Sequence, residues 1–167
     1  MNKTLLFSET QKFRQWWVWV LLIGLNGIIL YGIYHQLLLD QQFGDKPMSD
    51  FGLIITGIFI LLFSVLFHFF KLETLVKEDG IYVRFFPLHK SFRFYSWDKI
   101  SDFYIRQYSP IGEYGGWGLR GFGKNRALNV AGNIGLQLEF KDGKKLLIGT
   151  NNSLELNKTI LKIKAIK

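Results

Sequence analysis

Residues 118–125 read GLRGFGKN, one position short of the phosphate-binding pattern G-x-x-x-x-G-K-[ST]. Gly118, Gly123 and Lys124 fall in register, while Asn125 stands where a magnesium-coordinating hydroxyl belongs. Gly116, Gly118 and Gly121 also spell G-x-G-x-x-G. Both patterns work by aiming backbone N–H groups and a helix N-terminus at phosphate oxygens, so such a loop must leave a strand and open a helix. Here the upstream SPIGEYGG is turn-rich, and the downstream RALNVAGNIGLQLEF alternates like a hairpin. No strand–helix–strand crossover serves a dinucleotide reading either. The expectation is that Gly115, Gly116, Gly118, Gly121 and Gly123 serve a sharply bent strand and turn. Each mid-element glycine costs about 0.5–1 kcal/mol against alanine, so something should offset the cluster. Trp117 lies among these glycines, with Arg120, Lys124 and Arg126 close behind. A large aromatic beside cations suits a contact with a protein or a lipid headgroup; the alternative is Trp117 packed beneath a bent corner of the fold.

Other reactive clusters are not evident. With no cysteine and three histidines, two of them near the ends of apolar runs, a zinc site lacks ligands. Glu78 and Asp79 read as turn chemistry, and Asp98 and Asp102 as opposite sides of a bend. No catalytic residue, cofactor or metal is expected, and no small-molecule substrate. The absence of cysteine agrees with a reducing compartment.

The elements that must carry this loop begin in an apolar half. The 167 residues are 49% hydrophobic and 17% aromatic. Residues 16–34 form a window of 19 and residues 51–70 a window of 20 without a Lys, Arg, Asp or Glu. At about 1.5 Å per residue each gives a helix of roughly 28–30 Å, enough to cross the hydrocarbon layer. The first run is too long for a cleaved leader and lacks a small-x-small site after it. Lys3, Lys12 and Arg14 precede the first span, Lys46 alone lies in the connector, and Lys71, Lys77, Arg84 and Lys90 follow the second. This bias predicts an inner-membrane hairpin with both termini cytoplasmic. Phe13, Trp16, Trp17 and Trp19 suit the interface, and Ser8 with Gln11 reads as the cap of a short lead-in helix. Gly24 and Gly27 on the first span and Gly52 and Thr56 on the second are candidate packing positions. Asn26, the strongly polar residue mid-span, is expected to bond a neighbouring helix.

From Lys71 onward there are 17 Lys and Arg against 9 Asp and Glu, a surplus of eight that equals the net charge of the whole chain. Lys71, Arg84, Lys90 and Arg93 are candidate contacts with anionic membrane lipid. Nucleic acid is not expected, because the basic residues follow no recognition helix or RNA-binding aromatic pattern. LETLVK, IYVRFF, SFRFYSW, DFYIRQY, ALNVA, IGLQLEF and KLLIGT each read as strands, with Asp79-Gly80 and Asp142-Gly143 as hairpin turns and Gly132-Asn133 as a further turn. SLELNKTILKIK reads as a terminal amphipathic helix. The partition is a lead-in at 1–15, spans at 16–39 and 51–70, a connector at 40–50 and a soluble domain at 71–167.

EDGIYVR after the second span, YSWDKI before the next strand and DGKKLLIGT before the last helix make the chain similar to bacterial pleckstrin-homology-like domain proteins with two N-terminal spans. The resemblance covers about 95 residues (72–166) and the paired spans. It implies an α+β membrane protein whose small antiparallel barrel or sandwich is capped by a C-terminal helix, and it carries no shared catalytic residues. The expected function is non-enzymatic recruitment or assembly of a protein partner, or of further copies of the chain, at the inner leaflet. An accessory subunit of a larger membrane complex is the alternative, and a nucleotide-binding enzyme acting through GLRGFGKN is the remote one.

Overall fold

The computed structural model describes residues 4–166; Lys3 and Lys167, counted above among the basic residues, lie outside them. The chain divides into two compact units, one of Met1–Phe13 with Phe70–Lys167 and one of Arg14–Phe69.

The smaller unit is helical. Uninterrupted apolar sequence forms α1 (Trp16–Ile33), continued by one π-helical turn at Tyr34–Leu38, and α2 (Asp50–Phe69). Both helices are long and apolar enough to cross a membrane, with mean hydropathies of 1.8 and 2.4. Only 11% and 6% of their apolar windows are buried by the rest of the chain, unlike a core helix of a soluble domain. Asn26 Nδ2 donates to Ser64 Oγ across the pair and to the Leu22 carbonyl, each at 2.8 Å, which satisfies an amide otherwise costly in an apolar layer. Close packing falls at Gly57, where an added Cβ would lie 3.0 Å from Ile33 and 3.1 Å from Ile29. Gly24 and Gly27, expected at the packed face, instead meet open space on α1. Gly52 abuts Met48 of the connector, and Thr56 Oγ1 donates to the Gly52 carbonyl at 2.8 Å, so both serve the start of α2 rather than the α1 contact. Gln36 Nε2 ties the connector by donating to Asp50 at 2.6 Å and to the Met48 carbonyl at 2.8 Å.

The larger unit is α+β. Four antiparallel strands, β1 (Leu5–Lys12), β2 (Lys71–Lys77), β3 (Gly80–Phe86) and β4 (Arg93–Ser96), form one sheet in sequence order. A short 3₁₀ turn at Trp97–Lys99 leads into the second sheet. Its strands β5 (Ile100–Gln107), β6 (Gly118–Arg120), β7 (Asn125–Asn129), β8 (Ile134–Phe140) and β9 (Lys145–Gly149) lie in the order 5-8-9-7-6. A short helix α3 (Pro110–Tyr114) follows β5, and α4 (Ser153–Ile166) ends the unit. Period-two burial drives the sheets together: Leu72, Thr74 and Val76 of β2 are all buried, and Val83, Phe85, Leu136, Leu138 and Ile148 meet them in one core. Leu156, Ile160 and Ile163, one stripe of α4, complete that core.

Three expectations fail here. The lead-in helix capped by Ser8 and Gln11 does not form, and neither does a soluble domain confined to 71–167. Residues 5–12 are a strand laddered on β2, from Leu5 opposite Lys77 to Lys12 opposite Lys71. Phe7 is buried, and buried Gln11 donates through Nε2 to the Gly149 carbonyl at 2.7 Å. Glu9 accepts from Thr150 Oγ1 at 2.6 Å and from the Asn151 N–H at 2.8 Å, linking β1 to the end of β9. Nor do the sheets close into an antiparallel barrel. β7 and β8 do not pair as a hairpin; β9 sits between them, antiparallel to β8 and parallel to β7. β4 and β6 each keep one unpaired edge.

Candidate functional site

Residues 118–129 are a β-hairpin. Gly118, Leu119 and Arg120 of β6 pair with Asn129, Leu128 and Ala127 of β7, so the chain leaves a strand and re-enters one instead of opening a helix. The phosphate-loop geometry is therefore not formed by GLRGFGKN. The tip turns on Gly121, at φ 80°, where a Cβ would lie 2.2 Å from the Asn125 carbonyl oxygen. Between Gly121 and Gly123 stands Phe122, 97% exposed. Its glycine neighbours offer no side chain to cover it.

Below the tip the hairpin is pinned. Gly118 N–H donates to Asn129 Oδ1 at 2.9 Å, and the buried Asn129 donates through Nδ2 to the Tyr108 hydroxyl at 3.1 Å. Tyr108 is pushed above its ordinary value by burial. Beside it, Ser109 caps α3 by accepting from the Gly112 N–H at 3.1 Å. Arg106 braces the same helix through Glu113 at 2.7 Å, which holds that carboxyl below its usual range. Trp117 is half-buried, its Nε1 donating to the Gly132 carbonyl at 3.1 Å while its own carbonyl accepts from Arg120 Nε at 2.8 Å. It is thus a fastened side chain, and the aromatic presented to solvent is Phe122. Sequence reasoning passed over Phe122 for the larger ring. The signal that finds it is G-F-G at a hairpin tip.

Where the two sheets fail to close, a cleft opens between β4 and the β6–β7 hairpin. It holds a cavity of about 280 Å³ lined by Arg93, Arg120, Arg126, Tyr95 and Leu128. An adjoining cavity of about 310 Å³ shares Tyr95, Arg126 and Leu146 and adds Lys124, Lys144 and Lys145. The Tyr95 and Phe140 rings, 5.5 Å apart, pack at its base. Lys144 pairs with Asp142 at 2.5 Å and Lys145 with Glu139 at 2.7 Å. Arg93, Arg120, Lys124 and Arg126 make no ion pair among the described residues. Three of the four candidate partner-contact residues, Arg120, Lys124 and Arg126, therefore come together in this cleft, and Trp117 adjoins through Arg120.

The candidate lipid-contact residues do not act as a set. Lys71 and Arg84 both bind Glu73, at 3.0 and 2.7 Å, so much of their charge is spent within the sheet, and Arg84 also lies 4.6 Å from the Phe92 ring centre. Lys90 is exposed on the 87–92 loop, whereas Arg93 lines the cleft. Nearby, His89 is buried, with Nδ1 accepting from the Phe85 N–H at 3.2 Å. Burial first, then the charge of Arg93, holds it below the ordinary histidine value.

No curated protein and no solved structure matches the chain. One sequence family, described as a family of unknown function, does match, and over residues 1–166 it takes in the N-terminal strand, both apolar helices and both sheets. The chain belongs to that family, DUF6141.

Proposed function

We propose that this is a non-enzymatic protein of the cytoplasmic membrane whose α+β unit recruits a protein partner through the β6–β7 hairpin. In this reading the two helices span the membrane and both termini face the cytoplasm. Lys and Arg flank the outer ends of the helices, whereas Asp40, Asp45 and Asp50 outnumber Lys46 in the connector. The larger unit is a pleckstrin-like domain in an unclosed form. Its two sheets and terminal helix support that assignment, while the strand preceding the spans and the parallel β7–β9 pair are departures from the simple pattern.

The observation that carries the reading is Phe122. A phenylalanine held 97% exposed at the tip of a pinned hairpin retains apolar surface whose burial against a partner is worth about 1.5–3 kcal/mol. Interface energy concentrates in aromatic and arginine anchors, and Arg120 and Arg126 stand in the cleft beside it. Crosslinking in native membranes tests the reading: Phe122→Ala is expected to remove the partner adducts that the wild type forms.

A further inference from the structure

We infer that the cleft between β4 and the β6–β7 hairpin is a binding site for a phosphate-bearing organic anion. The inference goes beyond partner recruitment and does not depend on it.

The first ground is charge. Elsewhere in this unit cations either have carboxylate partners, as Lys71 and Arg84 have Glu73, Arg106 has Glu113 and Lys164 has Asp102 at 2.8 Å, or stand apart from one another in solvent, as Lys90, Lys99 and Lys158 do. In the cleft Lys144 and Lys145 are paired with Asp142 and Glu139, but Arg93, Arg120, Lys124 and Arg126 are gathered into one concave space without ion pairs among the described residues. Three arginines line one cavity, Lys124 joins Arg126 in the next, and among the described residues no carboxylate lines either. Like charges gathered in a concave, partly apolar space repel one another and focus a positive potential that an anion relieves.

The second ground is geometry. Alternation along a strand puts Arg93 on the same side of β4 as Tyr95, and Arg126 on the same side of β7 as the buried Leu128. Two guanidinium groups thus enter the cleft from different sheets, on backbone fixed by the β3–β4 and β7–β9 ladders. Each guanidinium is a planar fork that binds two oxygens at once. A carboxylate has only two oxygens, enough for one fork. A phosphate monoester has three terminal oxygens and up to two charges about one centre, which suits several forks converging from different directions.

The third ground is the floor. Tyr95, Leu128 and Leu146 give the cleft an apolar base, and Phe122 stands at its lip. Cavities of about 280 and 310 Å³ side by side exceed what a bare phosphate fills and reach the range of small-ligand pockets, roughly 300–1,000 Å³. The ligand therefore carries an organic group as well as the phosphate. A soluble phosphate ester and the headgroup of an anionic phospholipid share this chemistry.

Titration calorimetry of the full chain in neutral detergent micelles, with phenyl phosphate as probe and benzoate as the carboxylate control, tests the site. Saturable binding of phenyl phosphate is expected, with benzoate at least tenfold weaker. Arg93→Gln, Arg120→Gln and Arg126→Gln should each weaken it tenfold or more, and Lys90→Gln should leave it within twofold. Should Arg126→Gln disturb folding, Arg93→Gln on the exposed β4 edge keeps the test intact. Repeating the titration in phosphatidylcholine nanodiscs with and without phosphatidic acid separates the two sources. A phenyl phosphate affinity that falls when phosphatidic acid is present identifies a lipid headgroup as the natural occupant, and an unchanged affinity identifies a soluble ester. Absence of saturable binding, equal affinity for benzoate, or equal weakening by Lys90→Gln would overturn the site.

Discussion

Glu73 accepts from Arg84 Nε at 2.7 Å and from Lys71 Nζ at 3.0 Å with its side chain only 14% exposed. Burial alone would raise its carboxyl, but the two cationic hydrogen bonds outweigh burial and hold it below its ordinary value of 4.5. Its contribution to stability is therefore present above about pH 4.5 and lost as pH falls through the lower folded value. His89 acts over a higher range. Its folded value is depressed from 6.5, so below that pH the unfolded chain takes the proton first and stability declines. Urea unfolding of the larger unit should show a plateau near neutrality, a decline beginning below about pH 6.5 and a second one in the carboxylate range. His89→Gln, which keeps an acceptor near the Phe85 N–H, should flatten the first decline. Glu73→Gln should cost about 1–2 kcal/mol at pH 7 by weakening two charge-assisted bonds.

At the scale of elements, the hairpin tip separates backbone need from side-chain use. Gly121→Ala forces a Cβ against the Asn125 carbonyl at positive φ and should destabilise the unit by about 1–3 kcal/mol. Phe122→Ala, one residue away, should change unfolding by less than about 0.5 kcal/mol, because solvent already surrounds the ring. Thermal unfolding of the two variants side by side checks this contrast. Seven of the eight strands after Phe70, all but the three-residue β6, and the terminal helix were legible in the sequence because each carries its own alternation or helical stripe between local turn signals. β1 was not. FSETQK reads as a polar cap, and the burial of Gln11 depends on a carbonyl 138 residues away. The parallel β7–β9 pair was hidden too, since Gly132-Asn133 looks like a hairpin turn while β9 takes the place beside β7. At the site, the cations of the hairpin were legible. Their meeting with Arg93 was not, because it depends on how the two sheets stack.

For the whole molecule, the α+β unit begins before the first apolar helix and resumes after the second. Lys12 lies directly opposite Lys71, so the two strands leave the sheet about 5 Å apart. Phe13 and Phe70 both pack on Phe85, at ring separations of 6.5 and 5.9 Å. Replacing Arg14–Phe69 with a short Gly-Asn loop should therefore yield a soluble unit that unfolds cooperatively. Residues 71–167 alone, lacking Phe7 and the β1 ladder, should not fold; circular dichroism with urea titration distinguishes the two. For the intact chain, the distribution of Lys and Arg predicts that a reporter inserted at Gly44 is exported, while one fused after Lys167 stays cytoplasmic. Reporter activity on the two sides of the membrane checks this.

Crosslinking in native membranes with Phe122→Ala and Trp117→Ala compared against the wild type tests the recruitment reading most directly. Phe122→Ala should lose the partner adducts while unfolding at the wild-type temperature. Trp117→Ala, which removes the bond to Gly132, should lower that temperature. A Phe122→Ala protein that folds normally and keeps every wild-type adduct would contradict recruitment through the hairpin.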